Sequence, residues 1–90
     1  MNRTNQIHLI CQFLKTWRGS KRLSQEFVYH SIGIDVSNYE NGRSEPGHYN
    51  LQVLCDFYRI SLKWLLQITE DVDSRAITIE EYLEKAKEPL

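Results

Sequence analysis

The sequence predicts an all-α fold, five compact helices followed by a short C-terminal helical extension, and three observations predict it. Apolar residues recur at i, i+3, i+4 and i+7 in one segment after another, the spacing that lines a single helix face. Ser, Thr or Asp stands ahead of most of these segments and Gly behind several, which is how helices start and stop. No apolar–polar alternation of strand length interrupts them.

Ile7, Ile10, Cys11, Leu14 and Trp17 predict a first amphipathic helix over about residues 6–19, ending at Gly19-Ser20. Ser24 caps a second helix that turns Phe27 and Val28 inward and closes at Gly33. Asp35 or Ser37 caps a third, which Gly42 ends by tolerating a left-handed backbone. After a turn at Pro46-Gly47, Leu51, Leu54, Cys55 and Tyr58 mark a fourth. Ser61 caps a fifth that buries Leu62, Leu65 and Leu66. The acidic run from Glu70 to Ser74 then predicts a linker. Thr78-Ile79-Glu80-Glu81 is a capping box that opens a helix over about residues 79–87, with Ile79, Tyr82, Leu83 and Ala86 on one face. So short a helix is marginal alone, so that face requires cover, from the body or from a second subunit.

Ninety residues suit one core, and a hydrophobic share of 41% excludes a disordered chain. No apolar run reaches the roughly 18 residues of a membrane span, and Met1–Gln6 has no signal-peptide stretch, so a cytoplasmic protein is expected. Cys11 and Cys55 stand alone among apolar positions and are expected as buried small hydrophobes. His8, His30 and His48 lie at no metal-ligand spacing, and no nucleophile–base ordering or phosphate-cradling loop is present. No metal, cofactor or catalytic residue is therefore expected. The net charge of −1 divides into +3 over residues 1–66 and −4 over residues 67–90. A mildly basic body with an acidic tail can bind phosphate if its cations share a face.

Leu23-Ser24-Gln25-Glu26, a break at Gly33, then Val36–Gly42 followed by Pro46 is the layout of a helix-turn-helix, which lays one helix in a DNA groove. With Leu14–Glu26 leading into it and Pro46–Leu66 following without a gap, the chain resembles the Cro/repressor-type (XRE) helix-turn-helix family over about residues 7–66. The resemblance implies a compact, five-helix, repressor-like domain over residues 1–68, with residues 69–90 as acidic linker and short helix. The family usually places about three more residues between Leu-Ser-Gln-Glu and Glu-Asn-Gly. Either the recognition helix lacks its first turn, or Asp35 caps it and it is cut short before Glu40.

The resemblance implies a sequence-specific transcriptional regulator that binds double-stranded DNA as a homodimer and has no membrane partner. Ser37 and Asn38 are the polar residues next to the groove. Asn38 can pair with adenine, a contact that discriminates by ~1–3 kcal/mol, whereas Ser37 serves equally as a cap. Gln25, Asn41, Arg43 and Lys21 are the implied phosphate contacts. Glu40 is implied to pair with Arg18, and Tyr39 to bury its ring with its hydroxyl free. Trp17 and Trp64 are expected in the core. The alternative function is a protein-interaction module on the same fold, antitoxin-like or a regulator subunit, with weak or no specific DNA binding.

Overall fold

The computed structural model describes residues 2–88, which form six helices and, among those residues, no strand. Helix α1 (Arg3–Ser20) begins a turn earlier than its apolar pattern, because the Asn2 side chain accepts from the Asn5 amide at 2.9 Å. It continues through Gly19 and stops at Arg22, whose φ is 58°, with the Leu23 amide returning to the Arg18 carbonyl. Helix α2 (Gln25–Ile32) is capped by Ser24 and ends at Gly33 in the left-handed conformation, as expected. Helix α3 (Ser37–Glu40) is one turn, and Gly42, with φ of 79°, follows it. Helices α4 (His48–Tyr58), α5 (Leu62–Asp73) and α6 (Ile79–Lys85) complete the chain.

Two ends copy that of α1. Arg59 after α4 and Arg75 after α5 also have left-handed backbones. In each case the next amide reaches back to the carbonyl five residues earlier, Ile60 to Cys55 and Ala76 to Asp71. This is the Schellman stop, with Arg where Gly is usual.

The core is one cluster fed by every helix except α3: Ile10, Phe13 and Leu14 of α1, Val28 of α2, Leu54 and Cys55 of α4, Leu65 of α5, and Tyr82 of α6. Ile34 and Val36 anchor α3 from its N-terminal side. Leu51, Leu54, Cys55 and Tyr58 are buried as predicted, and both cysteines are free and buried.

Four expectations are corrected. Phe27 is 50% exposed, because on so short a helix the inward stripe is Val28 and Ile32; its ring lies near that of Phe57, with 6.4 Å between centroids. Trp64, 43% exposed, stands at the edge of the core against Phe13 rather than inside it. Leu66 is exposed, and the inward stripe of α5 continues as Ile68 and Thr69 instead. The acidic linker is helix: α5 runs through Glu70, Asp71, Val72 and Asp73. Thr69, fully buried, satisfies its hydroxyl with the Leu66 carbonyl and the Gln6 amide, fastening this end of α5 to α1.

Helix α6 turns its apolar face to the body. Thr78 caps it by accepting from the Glu81 amide at 3.1 Å. Tyr82 and Ala86 are fully buried, while Ile79 stays exposed. The Tyr82 hydroxyl donates to the Leu9 carbonyl at 2.8 Å, and the Ser20 hydroxyl donates to the Ala86 carbonyl at 3.1 Å. Removing a ring of this size from water contributes about 2–3 kcal/mol.

Candidate nucleic-acid interface

A four-residue helix cannot hold itself, so its position depends on what its side chains grip. Glu40, the last residue of α3, points inward with 6% of its side chain exposed and meets Arg18 of α1, 15% exposed. The pair is bidentate: Arg18 Nε to Glu40 Oε2 at 2.7 Å and Nη2 to Oε1 at 2.9 Å. The remaining guanidinium nitrogen donates to the Leu23 carbonyl at 2.6 Å, just ahead of α2. The hydrogen bond to Glu40 raises the Arg18 pKa above its ordinary value, although burial opposes this. The pairing implied by the family resemblance is therefore present.

Gln25, the first residue of α2, donates from Nε2 to Glu40 Oε1 at 2.9 Å. Tyr39 packs its ring against the core, but its hydroxyl is not free, accepting from Asn50 Nδ2 of α4 at 3.1 Å. One turn of helix is thus fastened to α1, α2 and α4.

Its outer edge is polar. The carboxylate of Asp35 accepts from the Ser37 amide at 3.0 Å and the Ser37 hydroxyl at 2.8 Å. Those bonds hold its pKa below the ordinary carboxylate value. Val36, not Asp35 or Ser37, is the N-cap of α3 and makes no side-chain cap bond, because Asp35 reaches only the Ser37 amide and hydroxyl; the turn that follows includes Glu40. Asn38 is exposed on the side-chain side, while its carbonyl accepts from the amides of Arg43 and Ser44. Asn41 accepts from the Arg43 amide at 3.1 Å, which shapes the loop and leaves the Arg43 side chain exposed. Lys21 is exposed with its ammonium 4.4 Å from the ring centre of Trp17.

No protein-family model matches the chain, and no solved structure matches it. Among curated proteins it is 30% identical over 82 residues to YobD, an uncharacterized helix-turn-helix-type transcriptional regulator of Bacillus subtilis (strain 168). The match covers 86% of this chain and 73% of that protein. The chain belongs to the helix-turn-helix-type transcriptional regulators.

In this regulator α2 has eight residues and α3 four, so Glu40-Asn41-Gly42 follows a single helical turn. Asn38, Asn41 and Arg43 share the exposed edge around that turn, and Ser37 lies half-buried beside them. Gln25 stands next to them but is engaged with Glu40. The regulator also presents residues that the sequence pattern did not single out. Helix α4 has Gly47 as its N-cap, which offers no side-chain cap, and His48 and Tyr49 in its first turn are exposed, the latter 78%. A Pro-Gly turn leading into a helix with no Ser, Thr or Asp cap was the available signal. Among the described residues, no helix of the regulator is long and apolar enough to cross a membrane.

Proposed function

We propose that this regulator is of the Cro/repressor (XRE) type and binds operator DNA in the cytoplasm as a homodimer, with the edge of α3 in the major groove. The observation that carries this reading is the construction of α3: one turn clamped from three helices, with Asn38 left exposed at its tip. Asn38 reads a base edge by donating and accepting together. Ser37, whose hydroxyl proton is directed at Asp35, offers lone pairs to a base amino group. Arg43, Asn41 and Lys21 hold phosphates on either side, and Gln25 adds its amide when it exchanges Glu40 for a phosphate. The N-terminus of α4, without a side-chain cap, offers a further phosphate contact beside exposed His48 and Tyr49. The exposed side chains Leu66 of α5 and Ile79 at the start of α6 belong to the subunit surface in this reading, with half-sites roughly 34 Å apart.

The test is anisotropy of a labelled duplex from upstream of the protein's own gene, against random duplex, at two salt concentrations. Specific binding should exceed random by about a thousandfold and weaken with salt. Asn38→Ala should remove about tenfold or more of that preference. Arg43→Ala should weaken both duplexes alike and lower the salt slope by about one. A second reading, a protein-interaction module on this fold, is favoured by the single-turn α3 and by a Gln25 already occupied. Equal weak binding to both duplexes would transfer the function to that reading.

A further inference from the structure

On α5, Trp64 and Leu66 lie on opposite flanks of the outer face, about 200° apart around the helix. The Trp64 flank opens onto a cleft of about 210 Å³ enclosed by α1, the α4–α5 corner and the end of α6. Phe13, Trp17, Ile60 and Trp64 supply its apolar lining, and Phe13 meets Trp64 edge-on at 5.6 Å. Arg59 and Lys85 line the same cleft, and among the described residues neither has a carboxylate within salt-bridge reach. Among the described residues Glu88 is the one acid lining this cleft, so that lining carries a net positive charge.

We propose that this cleft is a binding site for a small, single-ring aromatic carboxylate. Size sets the first limit, because drug-sized ligands need roughly 300 Å³ or more and this cleft takes one ring. Rings of Phe13, Trp17 and Trp64 give that ring edge and face contacts. The carboxylate answers Arg59, whose fork can hold both oxygens, with Lys85 as a second charge. A second copy of the chain fits less well. About a two-fold axis it would bring the same two cations against themselves, and like charges at an interface are repulsive. This inference does not depend on DNA binding.

Trp17 and Trp64 are the two tryptophans of the chain, so intrinsic emission reports the cleft directly. The full chain is titrated with benzoate and, at equal ionic strength, with benzamide, its neutral isostere. Benzoate should change the emission saturably, with a Kd of about a millimolar or tighter, and benzamide should bind about tenfold more weakly. Arg59→Gln with Lys85→Gln should erase the difference, with circular dichroism confirming the fold. If that variant does not fold, the comparison on the unaltered chain decides alone. Equal affinity for benzoate and benzamide, or no saturable change up to about 20 mM, overturns the proposal. Emission that shifts on protein dilution without ligand gives the cleft to a second copy and also overturns it.

Discussion

Arg18 directs every bond of its guanidinium inside the molecule, two to Glu40 and one to the Leu23 carbonyl. Removing one partner from such a pair leaves a charge with little water around it, which is costlier than the pair's own net worth. Glu40→Ala should therefore destabilise the fold by about 3 kcal/mol in urea titration, the lower end of the range because Arg18 keeps Leu23 and some solvent. A loss under about 1 kcal/mol would place the pair in the class of screened surface bridges. The same residue scale shows what sequence can and cannot convey. The Arg18–Glu40 pairing was legible through the family resemblance, which implies a cation of the first helix as the partner of Glu40. The engagement of Gln25 with Glu40 and of Tyr39 with Asn50 was not, since each depends on side-chain geometry across 15 and 11 residues. Trp64 misled for a simpler reason. Its position on the helix face was near the apolar stripe, and only the packing of Phe13 decided that it stands at the rim.

At the scale of elements, three helices stop on an Arg in a backbone region where a side chain is strained. The left-handed conformation costs an L-residue roughly 1–2 kcal/mol, partly offset in a Gly variant by the greater entropy of its unfolded chain. Arg75→Gly, on an exposed turn, should consequently stabilise the protein by about 0.5 kcal/mol and raise its Tm by about 2–4 °C. An unchanged or lower Tm would show that the Arg75 side chain holds something that the strain conceals. These Arg stops also explain where element boundaries escaped the sequence. Gly19 looked like the end of α1, yet it lies within the helix and Arg22 makes the turn. The acidic end of α5 resembled a linker because Asp is a poor helix former and carboxylates oppose the dipole at a C-terminus. Burial of Ile68 and Thr69, with the bond from Gln6, outweighs both. Helix existence and caps at Ser24, Ser61 and Thr78 were readable because hydroxyl spacing to the first turn is local.

For the whole molecule, the sequence pattern identified most core positions, and the pairing of α6 with the body rather than with a second copy was decided only by tertiary packing of Tyr82. That core determines how the protein responds to base. Burial pushes the Cys11 thiol from its ordinary 9.0 up to about 12, Cys55 to about 11, and the Tyr58 hydroxyl from 10.0 to about 12, with Glu40 adding to the rise for Cys11 and Tyr58. Tyr82 rises further for the same reason. The folded chain therefore keeps protons that the unfolded chain releases. This stability is complete below about pH 9 and is lost as pH climbs toward the folded values. Urea midpoints should hold steady through neutrality and then fall, the two thiols alone accounting for about 2–3 kcal/mol by about pH 10. A midpoint unchanged at that pH would mean that the thiols ionise as easily folded as unfolded.

The clamp on Glu40 has a last consequence, for amide hydrogen exchange. A single helical turn at a surface ordinarily opens within the native state, at little free energy. Here the amides of Glu40 and Asn41, bonded to the carbonyls of Val36 and Ser37, open only if α3 parts from Arg18 and so from the longest helix of the fold. Their exchange into deuterated water should match the slowest amides of α1, whereas the Ser37 amide, held by exposed Asp35, should exchange much sooner. Glu40→Ala should release the first two by orders of magnitude more than it releases α1. The outer edge of α3 and the interior then melt as one cooperative unit, and the chain has no well-folded form in which that edge is loose.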